Sequence, residues 1–193
     1  MTKIFITLLV SAVTFAAVGA DSAFICIIAS DRTNYAVGDV PTITVSITNR
    51  SAKEVILVGS LDGSNDGWRF PKCRLEILDA VGKPVTAPMA RCGHMNVLRT
   101  ADFVAVAAGG TFNPYGGGFF APYQFHQFPV TTPGDYTLRF YYSTSDRVQD
   151  YFGDERMMGR TNATPEIQRL FKRVPKLELK SNELKLKFTP KAK

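Results

Sequence analysis

Histidine is scarce in this chain, occurring only as His94 and His126, and that scarcity removes most routes to acid–base catalysis and metal binding together. There is no Gly-x-Ser-x-Gly elbow, no His-Glu-x-x-His, no Gly-x-Gly-x-x-Gly and no phosphate-binding loop. A Cys92–His94 or Cys92–His126 nucleophile pair would need Cys92 to be free, and Cys92 is expected to be bridged. Cys92-Gly93-His94-Met95, with His126 and Met157-Met158 elsewhere, offers soft ligands suited to copper, but the order and spacing do not match a blue-copper site. Asp62-Gly63-Ser64-Asn65-Asp66-Gly67 copies the first half of a calcium loop, yet Cys73 stands where the closing bidentate Glu is needed. A polar turn is the simpler reading. No catalytic residue, metal site or cofactor is expected.

Long apolar runs are also missing, except at the very start. Lys3 precedes an apolar stretch from Ile4 to Val18, and Val18-Gly19-Ala20 places small residues at −3 and −1 of a cut before Asp21. Residues 1–20 therefore read as a signal peptide. The run falls short of the roughly 20 residues that span a bilayer. Cys26 follows Ala-Phe-Ile rather than the small residues of a lipid-anchor site. The expected product is a secreted or periplasmic chain, residues 21–193, without a membrane span and long enough for one domain. Three cysteines in an oxidising compartment give one bridge and one leftover thiol. Cys73 and Cys92, flanking a hairpin-like stretch, are the preferred pair, worth about 3 kcal/mol. Cys26 reads as a buried thiol, although spacing leaves Cys26–Cys73 and Cys26–Cys92 open. Asn49 and Asn162 head Asn-x-Ser/Thr sequons, relevant only in a eukaryotic host.

Period-2 alternation is what the sequence does have. Ile43, Val45 and Ile47 alternate with Thr42, Thr44, Ser46 and Thr48. Tyr136, Leu138, Phe140 and Tyr142 alternate with Thr137, Arg139 and Tyr141. Leu184, Leu186 and Phe188 alternate with Lys185 and Lys187, and Cys73, Leu75 and Ile77 with Arg74 and Glu76. Each stretch predicts a half-buried strand. Further strands are expected at residues 24–29, 54–59 and 102–107, with turns at 79–83 and 132–135. One helix is expected: Thr164 caps, Pro165 takes the first position, Glu166 suits the positive end of the dipole, and Pro175 ends it. Ile167, Leu170, Phe171 and Val174 share a face. The expected architecture is all-β, a single antiparallel β-sandwich of about seven strands, with the helix in an insertion at about residues 145–181 before the last strand.

Tyr35-Ala-Val-Gly38-Asp39, the Ile43-x-Val45-x-Ile47-x-Asn49 strand and Pro133-Gly134-x-Tyr136-x-Leu138-Arg139 resemble the secreted immunoglobulin-like domains common in bacteria. The proteinase-inhibitor-like group of such domains opens and closes similarly. The Pro-Gly-x-Tyr element resembles a tyrosine corner, whose phenol bonds back to the backbone. Val45 and Leu138 stand where antibody-type domains carry their inter-sheet cysteines, and Trp68 lies in a polar turn region. The resemblance implies an immunoglobulin-like fold and, as an alternative function, an inhibitor presenting an exposed loop to a protease.

Two surfaces are candidates for binding. Without the leader the chain has 22 basic and 17 acidic residues, a net of +5. Residues 172–193 hold eight basic against two acidic residues, a net of +6, so the rest sums to −1. Lys172, Arg173, Lys176, Lys185 and Lys187 form a candidate polyanion patch. The competing role for alternating lysines is protection of a sheet edge. Residues 108–128 interleave Phe112, Tyr115, Phe119, Phe120, Tyr123 and Phe125 with glycines. Exposed, these aromatics would form a ligand loop; the excess of Phe over Tyr favours burial at one end of the core. The expected function is a non-catalytic secreted binding module for an extracellular glycan, polyanion or protein, with no nucleic-acid partner.

Overall fold

A computed structural model describes residues 23–61, 63–65, 70–86, 98–116, 128–145 and 164–191. Strands dominate: β1 (Phe24–Ser30), β2 (Asn34–Ala36), β3 (Ile43–Asn49), β4 (Val55–Val58), β5 (Lys72–Leu78), β6 (Phe103–Val106), β7 (Thr111–Phe112), β8 (Gly134–Ser143), β9 (Glu178–Lys180) and β10 (Leu184–Thr189). The one α-helix among the described residues, α1, spans Pro165–Arg173. A three-stranded sheet runs β1-β3-β7, and a five-stranded sheet runs β2-β10-β8-β5, with β9 also paired to β8. All these pairs are antiparallel except β2 with β10. Strands β4 and β6 form a separate antiparallel pair.

The alternation read from the sequence decides which side chains meet. Ile28, Val45, Ile47 and Phe112 from the first sheet join Ile77, Leu138, Phe140, Tyr142, Leu186 and Phe188 from the second in one buried cluster. Each large apolar side chain removed from water there contributes about 1.5–3 kcal/mol. Strand β4 is buried on both faces: Leu57 joins this core, while Ile56 and Val58 join a second cluster with Leu61, Phe70, Leu98 and the helix residues Ile167, Phe171 and Val174. The uninterrupted Val55-Ile-Leu-Val run is the sequence mark of that double burial. The helix begins as expected, with Thr164 Oγ1 accepting from the Ile167 N–H at 3.3 Å and Pro165 in the first turn.

Strands β2, β7 and β9 were not anticipated. With three, two and three residues they are too short to show a period, and pairing with distant partners creates them. Strand β9 falls within the expected insertion and extends the sheet. Its junction with β10 is stitched to β8: the Phe140 N–H donates to Ser181 Oγ at 2.9 Å, and the Ser181 N–H donates to the Phe140 carbonyl at 2.9 Å. Next to it, the Asn182 side chain accepts from the Ile28 N–H at 2.8 Å and donates to the Ile28 carbonyl at 3.2 Å, tying β1 to the other sheet.

Cys73 is a free thiol in the structure, wholly buried on the inward face of β5 opposite Tyr142. Its phase with Ile77 aims the side chain into the core. Cys92 lies outside the described residues. Cys26 is the buried free thiol that its apolar run predicts.

The Tyr136 hydroxyl donates to the Thr132 carbonyl at 2.9 Å and lies 2.8 Å from Thr132 Oγ1, closing the turn that feeds β8. Tyr136→Phe keeps the ring and strands the carbonyl, so a loss of about 1–1.5 kcal/mol is expected in urea denaturation. A loss below a few tenths would show that the hydroxyl does not fasten this turn.

Candidate functional site

The outward faces of β5, β8, β9 and β10 bear the side chains that their inward partners leave over. Because Leu186 and Phe188 point into the core, Lys185 and Lys187 point out. By the same alternation β8 presents Asp135, Thr137, Arg139, Tyr141 and Ser143, β5 presents Lys72, Arg74 and Glu76, and β9 presents Glu178 and Lys180. Register sorts them into rows across the sheet. Lys187 stands opposite Asp135 and Lys185 opposite Thr137. Lys180 and Arg74 flank Tyr141, while Glu178 and Lys72 flank Ser143.

Strands β9 and β10 pair with successive stretches of β8 and form one broken strand along it. Lys180, Lys185 and Lys187 thus form a line. On β8 their partners run from Tyr141 to Asp135, about 20 Å at the usual strand rise. No carboxylate among the described residues lies within ion-pair distance of these three lysines. Two of the carboxylates on this face, Glu76 and Glu183, pair with arginines. Arg139 pairs with Glu183 and, at 3.4 Å, with Glu76, and Glu76 also lies 3.6 Å from Arg74. Hydrogen bonds from Arg139 hold the Glu183 carboxyl below its ordinary range, and the same contact raises the guanidinium.

Tyr141 is the centre of the next row. The Arg74 guanidinium sits 4.3 Å and the Lys180 ammonium 5.9 Å from its ring centroid, within cation–π range. Its hydroxyl donates to Glu76 at 3.0 Å. Burial, and then that hydrogen bond, raise the phenol above its ordinary value. Beside it opens a groove of about 640 Å³ lined by Lys72, Tyr141, Ser143, Ser145, Glu178 and Lys180 among others. Ser145 Oγ donates to Glu178 Oε1 at 2.7 Å and lies 2.9 Å from Ser143 Oγ. The groove combines cations, a carboxylate acceptor and hydroxyls, which is binding chemistry.

The expected basic patch is divided. Lys185 and Lys187 belong to this face, whereas Lys172 and Arg173 are exposed in the last turn of α1, where cations favour the negative end of the dipole. Lys176 is exposed between α1 and β9. The aromatic ligand loop needs correction at two positions. Phe112 and Tyr115 are buried at 4% and 5% exposure, Phe112 because β7 pairs with β3 and carries it into the core, Tyr115 with its hydroxyl bonded to Asn65. There the Phe112 ring meets Tyr142 and the Tyr115 ring meets Phe140, at centroid distances of 6.2 and 6.0 Å. Phe119, Phe120, Tyr123 and Phe125 lie outside the described residues.

The calcium-like turn has its described oxygens committed. Ser64 Oγ accepts from the Leu61 N–H at 2.9 Å, and Asn65 Oδ1 accepts from the Tyr115 hydroxyl at 2.7 Å. Asp62 and Asp66, and the copper candidates Cys92, His94, Met95, His126, Met157 and Met158, lie outside the described residues. Among the described residues no group of three or more His, Cys, Asp or Glu could hold a metal ion. Lys72, Arg74, Tyr141 and Lys180 were missed as site residues. The signal was present, since Arg74 and Tyr141 occupy the polar phase of alternating strands.

No family model, curated protein or solved structure matches the chain. Among the described residues no helix is long and apolar enough to cross a membrane.

Proposed function

We propose that this is an exported, non-catalytic binding protein that holds an anionic polymer along the outward face of its five-stranded sheet. The observation that carries this reading is the line of Lys180, Lys185 and Lys187 on β9 and β10, without carboxylate partners at ion-pair distance among the described residues. Edge protection does not account for Lys187, where strand β10 is paired on both sides, with β8 and with β2. An excess of cations on an exposed face raises the local concentration of oppositely charged ligand.

An immunoglobulin-like assignment is supported by two facing sheets, an early strand pairing parallel to the last, and a phenol bonded back to the turn before β8. Export rests on the leader-like residues 1–20. The double variant Lys185→Glu/Lys187→Glu is expected to weaken binding of a polyanion about tenfold, each reversal removing roughly 0.5–1 kcal/mol of exposed charge pairing. Affinity of the native chain should also fall steeply as salt rises. Calorimetry across a salt series decides it. Binding untouched by the double variant, or indifferent to salt, rules the sheet face out.

A further inference from the structure

We infer that the groove beside the lysine line selects a hydroxylated, carboxylate-bearing glycan over a polymer of bare anions. This deepens the reading above and rests on it. A surface built only for charge would present cations alone. Here six cations (Lys72, Arg74, Arg139, Lys180, Lys185 and Lys187) share the sheet face with the four carboxylates of Glu76, Asp135, Glu178 and Glu183. Such mixed, dilute charge suits a polymer with one negative group per sugar ring. It disfavours a chain with more closely spaced charges, such as one charge per phosphate, because more of them then fall against a carboxylate instead of a lysine.

Glu178 gives the chemistry its direction. Its carboxylate lies in the groove and already accepts from the Ser145 hydroxyl at 2.7 Å, with Ser143 Oγ 2.9 Å beyond. An ionised carboxylate only accepts, whereas serine hydroxyls both accept and donate. A ligand seated beside Lys180 therefore needs two kinds of group. A negative oxygen would meet the Lys180 ammonium, and a hydroxyl would donate to Glu178. A uronic-acid residue carries both on one ring. A polyphosphate presents acceptors only, leaving its oxygens against Glu178 with no proton between them. Arg74 and Lys180, each within cation–π range of the Tyr141 ring, hold positive charge at the groove before any ligand arrives.

The test is calorimetric titration of residues 21–193 with polygalacturonate, dextran sulfate and polyphosphate at equal charge concentration, using the native chain, Glu178→Ala and Lys185→Glu/Lys187→Glu. The native chain should favour polygalacturonate over polyphosphate at least about tenfold, the weight of one hydrogen bond to a charged acceptor. Glu178→Ala should narrow that ratio, weakening the uronate and strengthening polyphosphate, while thermal unfolding shows the fold intact. Equal or tighter binding of polyphosphate to the native chain overturns the inference, as does a ratio unchanged in Glu178→Ala. Preference for dextran sulfate overturns the carboxylate assignment. If no polymer binds, or the lysine reversals change nothing, the parent reading fails instead.

Discussion

Asn49→Asp is expected to destabilise the protein by about 3–5 kcal/mol at neutral pH, although it exchanges only an amide NH2 for an oxygen. The reason is the number of groups that one buried side chain serves. Asn49 is wholly buried at the end of β3. Its Nδ2 donates to the carbonyls of Lys53, Val106 and Ala107 at 2.8, 3.0 and 3.1 Å. Its Oδ1 accepts from the Ser51 N–H at 3.0 Å and the Ser51 hydroxyl at 2.7 Å. It thereby clasps the β3–β4 turn to the end of β6. Aspartate keeps the acceptor side and loses every donor, setting a buried carboxylate oxygen against three carbonyl oxygens. The Ala107 and Lys53 carbonyls keep other donors, the Gly110 N–H and the Ser51 hydroxyl, so the cost comes chiefly from the lost donor to Val106 and from burying a charge against three carbonyl oxygens. Protonation would relieve part of this, so the new carboxyl titrates higher in the folded than in the unfolded chain. Stability linked to it is therefore greatest below the unfolded value near pH 4 and is lost as pH rises. The gap between variant and native midpoints in urea should narrow on going from pH 7 to pH 4. A variant within about 1 kcal/mol of native at pH 7 would show that the clasp is dispensable.

Asn49 also shows where sequence reading loses resolution. As letters, Asn49-Arg50-Ser51 is a sequon; in the fold the amide is sealed and the serine completes its hydrogen bonds. Only the tertiary position of the 106–107 carbonyls distinguishes the two. The long strands β3, β5, β8 and β10 were legible because six or more residues alternate between core and water, and physics repeats itself at every second position. Helix α1 was legible from cap to stop for a similar reason, each end having its own chemical requirement. Strands of two or three residues offer no repeat. Phe112 looked ambiguous because the two-residue strand that buries it exists only through β3.

The site was half legible. Lys185 and Lys187 were visible as the polar phase of β10, but Lys180 joined them only when the register placed β9 and β10 end to end along β8. Arg74 and Tyr141 are 67 positions apart and meet through that same register. Counting basic residues along the chain grouped Lys172 and Arg173 with this face, whereas the chain path puts them on a helix packed over β4. Charge density in sequence and charge density on a surface diverge when a segment changes layers.

The fold should also lose about 3–5 kcal/mol between pH 9 and pH 11 when kept reduced. Burial pushes the Cys26 thiol up to about 12, and it raises Cys73 as well, against a weaker opposing hydrogen bond from Ser60. In the unfolded chain both ionise near their ordinary value of about 9. A group whose folded value lies above its unfolded one stabilises fully below the unfolded value and loses that contribution as pH climbs toward the folded value. Each thiol therefore costs up to about 1.4 kcal/mol per pH unit once the unfolded chain begins to ionise. Burial raises Tyr115 and Tyr142 too, so they add to the slope above pH 10. Urea midpoints at half-unit intervals should stay level to about pH 8.5 and then fall, and Cys26→Ala should make the fall about half as steep. Level stability through pH 11 would contradict the buried free thiols. The same titration without reductant addresses the bridge expected from the sequence. A Cys73–Cys92 disulfide removes Cys73 from the balance, leaving Cys26 to set a shallower limb, whereas identical limbs with and without reductant mean that Cys73 stays a thiol.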